Sequence, residues 1–118
     1  NLKIRSNDAL TSLEGLNNLT SVGGELDIDN NASLTSIAGL NNLTSVEGNL
    51  RIYSNDALTS LAGLNNLTSV GGSLSIRFND VLKDYCSLQN ININYGFISS
   101  NAYNPTLADI KNGNCSSE

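Results

Sequence analysis

Without a single histidine, this chain would have to run acid–base or metal chemistry on its eleven carboxylates and two cysteines. Asp8, Asp56 and Asp80 recur at one place, and Asp27 and Asp29 stand two apart. Neither set forms the D-x-[DN]-x-[DN]-G run of a calcium loop, and a hard cation takes six or more oxygens. No serine or cysteine has an activating base in a recognisable motif, and no glycine-rich loop could cradle a phosphate. The side chains therefore point to no catalytic residue, no metal and no cofactor. A net charge of −5 leaves no basic patch to neutralise phosphates, which argues against nucleic acid as a partner. No apolar run is long enough to cross a bilayer, and no signal peptide is visible. The sequence opens inside a repeat, so a targeting segment upstream remains compatible with it.

Cys86 and Cys115 are the two cysteines. Two thiolates alone would leave a zinc shell half empty, so a disulfide is the better reading, with an oxidising compartment as its setting. Two buried free thiols are the alternative. The bond would close a loop of about thirty residues, worth about 3–4 kcal/mol in the chain-entropy account.

These groups are carried by a repeat. GLNNLTSV occurs at 15–22, 39–46 and 63–70, and the whole chain divides into coils 1–24, 25–48, 49–72 and a partial 73–90. A fixed 24-residue period identifies a solenoid, in which one coil cannot bury its own apolar face but stacked coils share a continuous core. Leu2, Leu26, Leu50 and Leu74 form one ladder, and Ile4, Ile28, Ile52 and Ile76 form the next. Around these positions the apolar period is two, which predicts a β-strand with Lys3 and Arg5 types outward. From Leu10 to Val22 the spacing becomes three, too short for a full helix and suited to bent segments that turn corners. Neighbouring strands are expected to pair in parallel. Asn7, Asn31, Asn55 and Asn79 make a polar ladder. Its expected role is structural, satisfying turn amides that lack a strand partner.

The stretch VEGNLRIYSNDALTSL at 46–61 follows V-x-G-x-L-x-I-x-x-N-x-x-L-x-S-L. It resembles the leucine-rich repeats of receptor L domains, most closely the version in Bacteroidetes-type bacterial secreted and cell-surface proteins. The resemblance covers roughly residues 1–90. It implies a right-handed solenoid on an extracellular or cell-surface protein, and it brings no catalytic residues. The fold expected is therefore mainly β: about four 24-residue coils with parallel sheets over 1–90, and a C-terminal cap over 91–118 closed by Cys86–Cys115. Within the cap, Asn92 and Asn94 replace the Thr and Val of earlier coils. Asn104-Pro105 followed by TLADIKNG reads as a short helix, with Asn104 as N-cap, Pro105 in the first turn and Gly113 past the end. The first coil has no such cap, and its open edge points either to further repeats upstream or to end-to-end homodimerisation.

Coils one and three differ only at Lys3/Arg51, Arg5/Tyr53 and Glu14/Ala62. Variation thus gathers on the outward strand positions, where solenoids commonly bind. The expected ligand face comprises Lys3, Arg5, Asp27, Asp29, Arg51, Tyr53, Arg77 and Phe78, flanked by Ser6, Asn30 and Ser54. Tyr53, Arg77 and Phe78 are the expected anchors, since aromatics and arginine dominate binding hot spots. The competing reading is charge alternation, Lys3–Asp27–Arg51 and Arg5–Asp29, that only keeps the face soluble. A second candidate surface is the hydroxyl array of Thr11, Thr35, Thr59 and Thr20, Thr44, Thr68, which could order water and bind ice. Sequons begin at Asn18, Asn31, Asn42, Asn66 and Asn114. The expected function is non-enzymatic extracellular recognition or adhesion toward a protein or glycan. Ice binding and a structural spacer are the alternatives.

Overall fold

The structure, a computed structural model, describes residues 1–93 and 95–117; the reading made of Asn94 lies outside them. In chain order the strands are β1 (Leu2–Arg5), β2 (Ser21–Val22), β3 (Leu26–Asp29), β4 (Ser45–Val46), β5 (Leu50–Tyr53), β6 (Ser69–Val70), β7 (Leu74–Arg77) and β8 (Gly96–Ser99), followed by helix α1 (Leu107–Lys111). Strands β1, β3, β5, β7 and β8 form one sheet in that order, and β2, β4 and β6 form a second. All these pairings are parallel. Leu2 lies opposite Leu26, Leu26 opposite Leu50 and Leu50 opposite Leu74, so the sequence period is also the strand register. The chain is thus a mainly β solenoid of about four turns with one short helix.

The three-residue apolar spacing resolves into corners. Single 3-10 turns occupy Glu14–Leu16, Ala38–Leu40 and Cys86–Leu88, and they point successive leucines inward before the second sheet begins. Between the sheets, Leu26, Ile28, Leu34, Ile37, Leu50, Ile52, Leu58 and Leu61 are fully buried. Removal of each such side chain from water contributes about 1.5–3 kcal/mol. In the first coil Leu2, Ile4, Leu10, Leu16 and Leu19 are only half-buried, because only one neighbour covers them, while Leu13 and Val22 remain buried. At the Gly63 corner the backbone takes φ +116°, and an added Cβ would stand 2.3 Å from the Ile37 carbonyl. Only glycine fits there.

The asparagine row runs the length of the stack. Asn55 Oδ1 accepts from Asn31 N at 3.2 Å and from Asn31 Nδ2 at 3.1 Å, while Asn55 Nδ2 donates to Ile28 O at 3.0 Å. Asn79 repeats this toward Asn55 and Ile52. Asn31, Asn55 and Asn79 are fully buried, whereas Asn7, at the open end, is exposed. The row has a fifth member absent from the sequence reading, Asn101, whose Oδ1 accepts from Asn79 N at 3.0 Å. Asn104 closes it by accepting from Asn101 N at 2.9 Å.

The cap continues the sheet before it ends it. In β8, G-F-I-S-S-N (96–101) follows the L-x-I-x-x-N of every coil, with Gly96 in place of leucine and a register of Leu74 opposite Gly96. A Cβ at Gly96 would meet Leu107 side-chain carbons at 2.9 Å. Leu107 of α1 therefore occupies the space the missing leucine would fill. The helix begins later than expected: its N-cap is Thr106, not Asn104, and Pro105 lies before the cap. Thr106 Oγ1 accepts from Asp109 N and Asp109 Oδ2 accepts from Thr106 N, a reciprocal capping box. Asn104 is unavailable for that job because it is bonded to Asn101. Gly113, past the helix end, has φ +90°, as the sequence pattern indicates. Cys86 and Cys115 are disulfide-bonded, and Cys115 O accepts from Tyr85 N at 2.7 Å. Tyr85 is fully buried and its hydroxyl donates to Tyr103 O at 2.7 Å. Burial holds its phenol well above the usual tyrosine pKa.

Candidate functional site

The outer face of the larger sheet carries three parallel columns. Lys3, Asp27, Arg51, Ser75 and Phe97 form the first; Arg5, Asp29, Tyr53, Arg77 and Ser99 form the second. The third follows the strands directly: Ser6, Asn30, Ser54, Phe78 and Ser100, all with φ between +55° and +61°. Serine and asparagine enter this left-handed region with modest strain, but a bulky aromatic there is a genuine outlier. Phe78 is nevertheless 51% exposed, so no core packing compensates for its conformation. Such strain in a solvent-facing side chain is characteristic of functional positions.

At the N-terminal end of the face the charges satisfy one another. Asp27, expected outward, is buried: its side chain is 3% exposed beneath Arg5, whose Nη2 donates to Asp27 Oδ2 at 2.6 Å. Asp27 is therefore covered by Arg5 rather than open to a ligand. Arg5 also lies 3.7 Å from Asp29, and Arg51 lies 3.7 Å from Glu25. Hydrogen bonding and the charge of Asp27 raise the Arg5 pKa above its ordinary value. The expected Lys3–Asp27–Arg51 series does not form among the described residues; the carboxylate goes to the longer, forked Arg5 side chain instead. Lys3 is exposed.

The C-terminal end is built differently. The Tyr53 hydroxyl is 2.7 Å from Ser75 Oγ, which pins the ring across the face and buries Ser75. The rings of Tyr53 and Phe78 meet edge to face with centroids 6.5 Å apart. The Arg77 guanidinium carbon stands 6.0 Å from the Phe97 ring centroid, at the outer limit of cation–π distance. Arg77 has no ion pair among the described residues, and its Nε is buried without a hydrogen-bond partner. Phe97 is 51% exposed. The structure thus brings Tyr53, Arg77 and Phe78 together, and adds Phe97, which sequence reading missed. The pattern G-F-I-S-S-N was the available signal for it.

The hydroxyl columns face the other way in bonding terms. Thr35, Thr44 and Thr68 donate their hydroxyl protons to the Thr carbonyl one coil earlier, Thr11, Thr20 and Thr44 respectively. These columns are exposed, and the backbone N–H groups of Lys83, in the fourth coil, and Asn92, at the start of the cap, donate to Thr59 O and Thr68 O. Of the sequon asparagines, Asn31 is fully buried in the polar row, and the side-chain amides of Asn42 and Asn66 bond to Asn17 O and Asn41 O. A cleft of about 460 Å³ beside the second sheet is lined by Glu47, Val70, Asn92, Ile93 and Tyr95 among others. Glu47 is the one charged residue lining it among the described residues. No described helix is long and apolar enough to cross a membrane.

The model of the receptor L domain family matches residues 1–95. This family is one of extracellular ligand-binding domains rather than of enzymes. Comparison with curated proteins and with solved structures gave no match.

Proposed function

The chain belongs to the receptor L domain family, and from that premise we propose that it is a non-enzymatic recognition module of a secreted or cell-surface protein, binding a protein or glycan through the C-terminal half of its outer sheet face. The observation that carries this reading is the grouping of Tyr53, Arg77, Phe78 and Phe97, with two exposed aromatic rings beside an arginine that has no ion pair among the described residues. Phe78 and Phe97 each leave half of their surface in water, and aromatic and arginine anchors are what binding hot spots use. The N-terminal half, with Arg5 and Arg51 already paired, serves as a soluble flank.

A combined peptide and glycan array tests the proposal. Binders of the native chain are expected to be lost with Phe78→Ser and Tyr53→Ala, both of which should keep the native circular dichroism spectrum. Arrays without a binder, or binders indifferent to both substitutions, would leave the module as a spacer.

A further inference from the structure

Arg5 and Arg77 hold equivalent places on the face, three coils apart, and the strand that follows each supplies different partners. Arg5 is neutralised by two groups of the next coil: Asp27, from the first column, and Asp29, from its own. Strand register puts Phe97 and Ser99 in those same two places next to Arg77, since Lys3 faces Asp27 as Ser75 faces Phe97, and Arg5 faces Asp29 as Arg77 faces Ser99. The molecule therefore holds, at one end, a worked example of what this arginine position accepts. At the other end both carboxylates are gone, one replaced by an aromatic ring.

We infer that Arg77 is a receptor for a carboxylate supplied by a protein partner, an Asp or Glu side chain set among apolar residues. This rests on the reading that the outer face is the binding face. The Arg77 guanidinium has no ion pair among the described residues, and its inner Nε, closed to solvent, has no hydrogen-bond partner either; a charge-assisted bond from a carboxylate to the terminal nitrogens would neutralise it. Phe78 and Phe97, half-exposed on the same patch, offer contact to the apolar neighbours of that carboxylate and exclude water from the pair. Phe78 keeps this place despite a backbone conformation that Ser6, Asn30, Ser54 and Ser100 occupy with smaller side chains.

The test uses 3-phenylpropionate as probe and its neutral isostere 3-phenylpropionamide as control, followed by NMR at the arginine Nε–Hε resonances of the whole chain. Saturable shifts are expected at Arg77 with the acid and not at Arg5 or Arg51. The amide should bind about tenfold more weakly or less, the size of one charge-assisted bond. Phe97→Asp restores beside Arg77 the carboxylate that Arg5 already has, and should abolish acid binding. Arg77→Gln should do the same. Acid and amide binding within twofold of each other, equal shifts at all three arginines, or undiminished binding by Phe97→Asp would each overturn the inference. A protein ligand that requires Tyr53 and Phe78 yet tolerates Arg77→Gln would also overturn it while leaving the recognition reading in place. Acid binding confined to Arg77, with no array ligand on this face, would retain the carboxylate site and remove the recognition reading.

Discussion

The first and third coils share all but three of their 24 residues, yet the same letters sit in different surroundings. Leu50, Ile52, Leu58 and Leu64 are fully buried, while Leu2, Ile4, Leu10 and Leu16 are half-exposed. Asn55 is buried within the polar row, and Asn7 is at its exposed end. The difference teaches that a coil has little stability of its own. Its residues acquire their energetic weight from the coils on either side, as expected of a one-dimensional array.

Paired substitutions would sharpen or break that comparison. Gly63→Ala should be the most damaging. It combines a positive φ with a clash against the Ile37 carbonyl, and backbone strain plus overpacking together should cost about 4 kcal/mol. Gly15→Ala, at the same place in the first coil, meets nothing within 4 Å and should leave the denaturant midpoint nearly unchanged. Asn55→Ala should cost about 2 kcal/mol, because the Asn31 amide loses its acceptor. Asn7→Ala should cost about 0.5 kcal/mol or less, its groups being open to water. Equal losses from the two members of either pair, read by urea unfolding, would contradict the neighbour account.

The corner position offers a further comparison, through pH. Leu13 and Leu61 occupy it in the first and third coils, and Tyr85 in the fourth. The Tyr85 phenol has its pKa raised by burial, so the folded state holds that proton more tightly than the unfolded chain does. The associated stability is complete below the ordinary tyrosine pKa of about 10 and falls as pH rises above it, by up to about 1.4 kcal/mol per pH unit. Tyr85→Phe should weaken this alkaline decline while lowering stability at neutral pH through the lost bond to Tyr103 O. A smaller effect, opposite in sign, is expected at the third column. Phe78→Ser installs the residue that coils one and three use at φ near +56° and should raise stability by about 0.5–1 kcal/mol. A fall in melting temperature would show that Phe78 packs more than its exposure indicates.

Much of this fold can be read from letters because the period of the sequence is the period of the sheet. The leucine and isoleucine ladders follow from it, and so does the polar row from Asn7 to Asn79. What escaped reading departs from the period for local reasons. Strand β8 comes 22 residues after β7, not 24, and its first ladder position is Gly96, whose neighbour in space is Leu107. A pattern search for leucine passes over it, and Phe97 and Asn101 go unnoticed with it. The helix start is ambiguous in the letters because Asn104 and Thr106 are both good caps by type. Only the bond from Asn101 to Asn104 decides between them. On the outer face, residue type marked Tyr53, Arg77 and Phe78, but alternation alone could not show that Asp27 lies beneath Arg5. That depends on the reach of a side chain across the register, a property of pairs of strands and not of one.

The exchange of Gly96 for Leu107 has a consequence for how such an array can lengthen. The closing device lies in the fourth coil, the last strand and the helix, where the disulfide ties the tail down and a side chain from the helix completes the final layer. Everything before it is modular. A duplicated 24-residue unit inserted between 48 and 49 would present the same ladders on both sides, leave the closure untouched and keep Tyr53 beside Arg77 and Phe78. Each added copy would extend the stack by about 4.8 Å, the spacing of paired strands. Copy number, and with it the distance between the aromatic end of the face and its charged flank, is thus a variable that this architecture can change without redesigning its end.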